Sequence, residues 1–268
     1  METFTIEIAG VPVEVRCRYS DNRDFLRNYL SEKEPLCSIE PSAADLVRMQ
    51  ADFDRIDAAG GSPGRRRSEV FLENNAIHAL LAEKLVGHGV LLMHGSALCM
   101  DGEAYIFTAK SGTGKSTHAR LWREMFGDRV WMINDDKPML RISGGKEPGS
   151  GASADGREEA AGGSSKKDRV MVYGTPWDGK HRLSRNACAP LKAIVSLYRD
   201  EKNHIEPVRK AEAFPELMKR AYLSRDPVTM AEIMALESTL LDSVDFYTLG
   251  CNMEPEAART AWEGMNAR

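Results

Sequence analysis

The chain has 268 residues, 42% of them hydrophobic, so it can bury one large core or two small ones. Its formal net charge of −4 gives no basic field that would attract nucleic acid or an acidic membrane, and we predict neither partner. Five scattered cysteines without a CxxC pair, an N-terminus without a signal-peptide pattern and the lack of a long apolar run predict a cytoplasmic protein with reduced thiols.

Residues 1–68 are predicted to form an N-terminal β-hairpin followed by a variable region. Residues 3–18 alternate apolar and polar side chains on both sides of a Gly-Val-Pro turn, which is the period of a half-buried hairpin. Residues 20–67 are polar and interrupted by prolines, and they make up the variable region. The basic run Arg65–Arg67 is interpreted as a solvated face, with phosphate contact as the alternative.

Residues 69–268 are predicted to form a second, kinase-like domain. Apolar residues at helical spacing between Phe71 and Leu85 predict a helix that ends at the glycines 87 and 89. Two short apolar runs joined by Asp101-Gly102 then indicate a hairpin. A glycine-rich turn, a helix over about 115–126 and the strand RVWMIND follow.

Residues 144–167 contain no aliphatic side chain larger than alanine and no aromatic one. Such a segment cannot bury enough apolar area to offset its ordering entropy, so we predict a disordered insertion. It separates the strand-like segments KPMLRI and RVMVYGTPW, which indicates a hairpin tip, with a domain boundary as the alternative. Beyond it we predict the strand LKAIVSLY, helices over 211–223 and 228–242, the strand DFYTLG and the helix PEAARTAWEGM.

The stretch AYIFTAKSGTGKSTHARLW, residues 104–122, matches the phosphate-loop motif [A/G]-x-x-x-x-G-K-[S/T], with alanine at its first position. Its glycines let the backbone curl so that successive N–H groups point inward at a helix N-terminus, where they attract phosphate. A glycine-rich turn that caps an ordinary helix is the alternative. We predict that the nucleotide is held by Ser111, Gly112, Thr113, Gly114, Lys115, Ser116 and Thr117.

The helix after the loop carries an apolar stripe that includes Trp122, so this side chain is expected in the core and not as a platform for a base. His118 is expected on an exposed face of the helix, and we assign it no role.

Asp135 and Asp136 follow an apolar strand, at the sheet edge where open α/β sheets bind ligands. One carboxylate can hold Mg²⁺ and the other can take a proton from an attacking hydroxyl, provided that the chain bends after Asn134. A plain acidic turn before Pro138 is the alternative. His94 lies in the apolar run LLMHGSAL, where a hydrogen-bonded core histidine is the simplest interpretation.

The combination of HGSAL, AKSGTGKST and NDD, between Leu91 and Asp136, resembles HPr kinase/phosphorylase and the wider group of phosphoenolpyruvate carboxykinase-like P-loop proteins. The resemblance implies an α/β fold in which a strongly twisted mixed sheet with flanking helices carries the phosphate loop. It also implies ATP and Mg²⁺ as cofactors and transfer of the γ-phosphoryl group to a serine hydroxyl of a protein or peptide. The residues implied as catalytic are His94, Lys115, Asp135 and Asp136, and those implied as metal ligands are Ser116, Asp135 and Asp136.

The later segments YGTPWDGKH and APLKAIVSLYRD resemble a smaller set of HPr kinase-like proteins. This resemblance implies a substrate side formed by Gly174, Thr175, Trp177, Lys180 and Arg185, although a Gly-Thr-Pro-Trp turn buried for packing explains the same letters.

The sequence also departs from the HPr kinase pattern. Thr117 stands where HPr kinase carries an acidic residue, and neither the N-terminal domain nor the substrate-loop signature of that family is recognisable. The ligands for carboxykinase chemistry are also not found. A small-molecule kinase, for instance one acting on free serine, and a non-catalytic nucleotide-binding regulatory module therefore stay open, as do the donor nucleotide and a homo-oligomeric state.

Overall fold

A computed structural model describes residues 1–62, 64–110, 112–143 and 170–267. The chain forms two compact units, Met1–Leu85 and Val86–Arg268. The division therefore falls after the helix Glu69–Lys84, whereas the sequence analysis placed this helix in the second domain. The predicted disordered insertion at 144–167 lies outside the described residues.

The first unit contains a three-stranded sheet and three helices. Its elements are β1 Glu2–Ile8, β2 Val11–Cys17, α1 Ser20–Phe25, β3 Cys37–Ile39, α2 Ala43–Ala59 and α3 Glu69–Lys84, with a 3-10 turn at Arg27–Tyr29. The predicted hairpin is confirmed, since β1 pairs antiparallel with β2, while β3 joins β2 in parallel. The turn is Ala9-Gly10, with φ of 51° and 75°, and not Gly-Val-Pro, because Val11 and Pro12 already pair with β1.

The helix α2 lies in the variable region, where the sequence had suggested no particular element. Its N-terminus is fixed by a capping box in which the Ser42 hydroxyl accepts from the Asp45 amide and the Asp45 carboxylate accepts from the Ser42 amide. The pattern Ser-x-x-Asp is visible in the sequence and could have signalled the helix. The side chains that pack α2 against α3 are Leu46, Met49, Phe53, Leu72 and Ala76.

The second unit is a mixed α/β structure. Its elements are β4 Val90–Leu92, β5 Ser96–Met100, β6 Glu103–Thr108, α4 Lys115–Phe126, β7 Val130–Asn134, β8 Met139–Ile142, β9 Val170–Tyr173, β10 Cys188–Arg199, β11 His204–Pro207, α5 Lys210–Met218, α6 Pro227–Ser243, β12 Asp245–Cys251 and α7 Glu256–Asn266. Short 3-10 turns occupy Leu85–His88 and Gly127–Arg129. The sequence analysis did not predict β11.

The described strands of this unit form one sheet in the order β4-β8-β9-β10-β6-β5-β7, with β12 beside β10 and β11 beside β12. The strands β6, β10 and β12 run parallel, and the other pairs are antiparallel. Because β7 is antiparallel to β5, and β5 to β6, the ends of β6 and β7 lie at the same edge of the sheet. The strands β8 and β9 form the two arms of a hairpin, as predicted, with Ile142 opposite Val170.

Alternate residues of the central strands face opposite layers of helices, as the period of two in a strand requires. Ile106 and Ile194 face the layer that contains Leu217 of α5 and Leu240 of α6. Phe107, Val195 and their neighbours face the layer of α4 and α7, which contains the fully buried Trp122. The expectation that Trp122 is a core residue is therefore confirmed.

Two further features concern the described parts of the chain. No helix there is both long and apolar enough to pass through a membrane. All five cysteines have free thiols.

Candidate active site

The phosphate-loop motif lies between the end of β6 and the start of α4, where the sequence placed it. Gly112 and Gly114 adopt φ of 78° and 126°, a region that favours glycine. The Thr113 amide donates to the Lys110 carbonyl at 3.1 Å, and α4 begins at Lys115. Its first amides lack partners within the helix and suit an anion. Ser111, also predicted to bind the nucleotide, lies outside the described residues.

Lys115 is half-buried next to the loop, and its Nζ donates to the Ala109 carbonyl at 3.4 Å. Burial lowers the pKa of this ammonium group, while the carboxylates of Asp136 and Asp135 oppose the shift and Arg220 reinforces it. The charges of the acidic pair therefore act on the Lys115 ammonium group.

The bend that the acidic pair requires is present, and Asn134 makes it. The Asn134 Oδ1 accepts from the amides of Asp136 and Lys137 at 2.8 and 2.6 Å, which turns the chain directly after β7. Its Nδ2 donates to the Thr175 carbonyl and hydroxyl, both at 3.0 Å. The fully buried Asn134 thus ties the acidic pair to the segment after β9.

The Asp135 carboxylate lies inside this edge of the sheet, with the residue only 4% exposed. The Ser96 hydroxyl donates to its Oδ1 at 2.8 Å. Burial raises the pKa of Asp135, while its interactions with the hydroxyls of Ser96 and Ser116 act in the opposite direction. Asp135 is therefore the carboxylate that faces the loop serine.

The Asp136 carboxylate instead faces His94, whose Nε2 lies 3.0 Å from its Oδ1. Burial alone would raise the pKa of Asp136, but the hydrogen bond from His94 and the charges of Lys137 and Lys115 outweigh it, and the pKa is lowered. His94 was expected inside the apolar strand, but it lies in the break between β4 and β5. Its amide donates there to the Arg220 carbonyl at 2.7 Å.

The five residues predicted on the substrate side differ in burial. Gly174, Thr175 and Trp177 are buried, whereas Lys180 and Arg185 are exposed. The Thr175 hydroxyl donates to the Lys137 carbonyl at 2.8 Å, so this turn is hydrogen-bonded to the residue that follows the acidic pair. For these three residues the structure agrees with the alternative interpretation, burial for packing.

Sequence reasoning missed Asp178, which shapes the same edge. Its Oδ1 accepts from the amides of Asp135 and Gly179 at 3.0 and 2.7 Å, and its Oδ2 accepts from the Ser184 amide at 2.8 Å. It thus joins the turn after β9 to the acidic pair. The available signal was an aspartate followed by glycine, which is typical of a turn and says nothing of a partner 43 residues away.

Sequence reasoning also missed Arg199, at the end of β10. Its Nη2 donates to the Gly112 carbonyl at 2.6 Å and its Nε to the Thr113 carbonyl at 3.3 Å. A cavity of about 570 Å³ opens beside this contact. Its lining includes Thr113, Gly114, Thr117, Arg199, Asn252 and Met253.

His118 is not on an exposed face, contrary to the expectation. It is 2% exposed, and its Nε2 accepts from the indole N–H of Trp122 at 3.0 Å. Burial lowers the pKa of His118 to about 3, so the ring is neutral at ordinary pH. The helical spacing did not determine whether position 118 faces the core or the solvent. In the structure the hydrogen bond with Trp122, one turn later, holds His118 in the core.

The donor set at this edge fits Mg²⁺. Among the described residues no group of three or more His, Cys, Asp and Glu side chains could hold a metal by itself. Magnesium, however, is commonly held by one or two carboxylates together with substrate phosphates and water. The Ser116 hydroxyl and the carboxylates of Asp135 and Asp136 are hard oxygen ligands of this kind.

Comparison with known proteins gives little support for any assignment. No protein-family model and no curated protein sequence matches the chain. Among solved structures, it is similar to the Hpr(Ser) kinase/phosphatase from Coxiella burnetii, with a TM-score of 0.30 and 8% identity, over 66% of this chain and 99% of that chain. A TM-score of 0.30 carries no argument about fold or activity.

Proposed function

We propose that this chain is an ATP- and Mg²⁺-dependent phosphotransferase that moves the γ-phosphoryl group to a hydroxyl. The proposal rests on one observation: the two carboxylates beside Lys115 have different partners. Asp135 interacts with the loop serine Ser116, and Asp136 is hydrogen-bonded to His94. One carboxylate is therefore available for a metal ion, and the other for a proton.

The loop supplies the phosphate site. The amides around Gly114 and the first turn of α4 bind the phosphate oxygens, and the Lys115 ammonium neutralises charge on the β and γ groups. Arg199 holds the carbonyls of Gly112 and Thr113 by its guanidinium, which keeps the loop in its curled form. The cavity of about 570 Å³ beside the loop has the size of a small-ligand site and is proposed for the nucleoside.

Ser116 and Asp135 are the residues proposed to hold Mg²⁺. The ion, when bound, supplies positive charge to the phosphate oxygens. Burial raises the pKa of Asp135, and a cation beside it would act in the opposite direction by favouring the carboxylate.

Asp136 is proposed as the base. Because its pKa is lowered, the carboxylate is ionised at neutral pH, and the His94 ring fixes its orientation. The acceptor hydroxyl gives its proton to this carboxylate as its oxygen bonds to the γ-phosphorus. The bond from that phosphorus to the β–γ bridging oxygen breaks, and ADP leaves with the electron pair.

Two lines of support favour different classes of phosphoryl acceptor. The resemblance in sequence favours a serine of a protein or peptide. A partly enclosed cavity of about 260 Å³, lined by Thr108 at the start of the loop and by Arg220 behind His94, favours a small molecule.

The experiment measures nucleotide binding and phosphoryl transfer separately. The wild type and the variants Lys115→Ala, Asp136→Asn and Asp128→Asn are incubated with γ-labelled ATP, Mg²⁺, small hydroxyl compounds and a lysate of the source organism, and nucleotide affinity is measured by calorimetry. Asp128 is exposed and away from the site, so its variant is the matched control.

We expect Asp136→Asn to lose roughly 10³-fold in transfer with little change in nucleotide affinity, since it removes a base and leaves the loop. Lys115→Ala should lose both. Label that appears only as inorganic phosphate, with Asp136→Asn as active as the control, would instead indicate a nucleotide-binding regulatory module.

A further inference from the structure

A row of three hydroxyl side chains crosses the sheet at the point where the phosphate loop begins. Thr108, Ser196 and Thr248 lie opposite one another in neighbouring parallel strands β6, β10 and β12. In a strand Thr108 shares its face with Ile106, so the row faces the α5 side of the sheet. All three residues line the cavity of about 260 Å³ between the sheet and α5.

These hydroxyls need a partner. Thr108 is only 4% exposed, and among the described residues none of the three hydroxyls has a hydrogen-bond partner. Buried polar groups in folded proteins are nearly always hydrogen-bonded, to protein, water or ligand. Ser196 and Thr248 are half-buried, so the row offers its hydroxyls to water or to a ligand with several polar atoms.

Arg220 forms the wall next to the catalytic groups. Its Nε is buried and has no hydrogen-bond partner among the described residues. Its carbonyl accepts from the His94 amide at 2.7 Å, so the backbone of Arg220 contacts that of the histidine that holds Asp136. A guanidinium in this position suits a planar anion such as a carboxylate, which it can bind through two parallel N–H groups.

The opposite wall is acidic. Glu206, Glu212 and Glu216 line the cavity, and of these Glu212 is paired with Arg209 and Glu216 with Lys219. Glu206 has no such partner among the described residues and suits an ammonium group. The volume of about 260 Å³ suits a small metabolite and not a folded protein surface.

We infer that this cavity binds the phosphoryl acceptor, and that the acceptor is a small hydroxy amino acid whose carboxylate is bound by Arg220. The inference rests on the proposed kinase function and goes beyond it by naming the substrate class. The hydroxyl row and Glu206 bind the polar remainder, and the free hydroxyl of the ligand is directed to Asp136.

The test uses L-serine, L-threonine and L-homoserine as probes, with L-serinamide as the matched probe without a carboxylate. Binding to the full chain with Mg²⁺ and ADP is measured by calorimetry, and transfer from γ-labelled ATP by chromatography. The variants are Arg220→Met, Arg220→Lys and Thr108→Val, with Arg120→Met as the control, because Arg120 is an exposed arginine paired with Glu124 on α4.

We expect binding and phosphorylation of at least one of the three acids, and a kcat/KM for the amide about 100-fold lower, because the amide leaves the half-buried Arg220 guanidinium without an anionic partner. Arg220→Met should raise the KM for that acid at least about tenfold and leave the KM for ATP unchanged, with Arg220→Lys in between. Thermal unfolding of each variant shows whether it is folded.

Several results would overturn the inference. One is that no probe binds; another is that the amide is as good as the acid; a third is that Arg220→Met lowers kcat without raising KM, which would assign Arg220 to the phosphoryl group. Transfer to a protein without binding of any acid would leave the kinase function standing and remove this acceptor. Binding of an acid without transfer in the presence of ATP would do the reverse, since it keeps a carboxylate site and removes the reaction.

Discussion

At Gly179 an added methyl group should reduce activity, whereas at Gly174 it should reduce stability. A Cβ on Gly179 would lie 2.8 Å from the Asp135 Oδ2, which belongs to a side chain that can rotate. A Cβ on Gly174 would lie 1.9 Å from the Arg185 carbonyl oxygen and 2.6 Å from that of Ile133, which belong to backbone that cannot move cheaply.

We therefore expect Gly179→Ala to reduce phosphoryl transfer at least about tenfold by displacing Asp135, at a cost in stability below about 1 kcal/mol. Gly174→Ala should cost on the order of 3 kcal/mol or more in the free energy of unfolding. Urea denaturation and label transfer measure the two effects. A fully active Gly179→Ala variant would show that Asp135 is not held where its carboxylate is needed.

The residues of the candidate site divide by the range of their contacts. Lys115 and Asp136 were predictable, because the loop motif and an acidic pair after an apolar strand place them at one sheet edge. Asn134 was recognisable only as the place where a bend was needed. Its hydrogen bonds to Thr175 span 41 residues, and no local pattern encodes a partner at that separation.

At the scale of elements, the contact between β10 and the phosphate loop should affect nucleotide binding. Replacing Arg199 by methionine removes two hydrogen bonds to the carbonyls of Gly112 and Thr113. The loop then has to be ordered by the nucleotide itself, so we expect the Kd for ATP to rise roughly three- to tenfold. Because Arg199 is exposed, stability should change by less than about 0.5 kcal/mol.

Calorimetry with a non-hydrolysable ATP analogue and Mg²⁺ measures this affinity. Arg120→Met on the outer face of α4 removes an arginine of similar exposure and should leave the Kd unchanged. Equal affinities in wild type and Arg199→Met would mean that the loop is curled without help from β10.

Elements with a strong local signal were predicted, and those without one were missed. The turn Asp101-Gly102 and the glycines around α4 fix β5, β6 and the helix by backbone preference alone. The strand β11 has four residues, pairs with β12 and has no fully buried residue, so it shows no clear apolar alternation. The helix α2 was hidden by its polar composition, although its capping box was legible.

At the scale of the whole molecule, the sequence located the start of α3 but not the unit to which it belongs. The apolar spacing of a helix shows which face is buried, not which partner covers it. In the structure Leu72 and Ala76 pack against α2, which places α3 with the residues before it. The division of the chain therefore follows from packing that spans about 30 residues of loop and helix, beyond the reach of periodicity.

The stability of the second unit should depend on pH through Glu237, a carboxyl on α6. The residue is 1% exposed, and neither of its carboxylate oxygens has a hydrogen-bond partner among the described residues. Burial raises its pKa from the ordinary value of 4.5 to about 7. Between these two values the folded chain holds a proton that the unfolded chain has lost, so the free energy of unfolding falls as pH rises through this window and is level above it.

The variant Glu237→Gln removes the ionisation and keeps the shape. We expect it to be nearly as stable as wild type at pH 4.5 and more stable by up to about 3 kcal/mol at pH 7.5, since each pKa unit corresponds to about 1.4 kcal/mol. Urea denaturation at intervals between these pH values measures the difference.

His118 also makes stability depend on pH, with the opposite sign, because burial lowers its pKa. Wild type and variant share this dependence, so it cancels in their difference. Glu232→Gln, an exposed carboxyl on the same helix, should give a flat difference, and the same flat difference for Glu237→Gln would show that Glu237 is solvated or paired in solution.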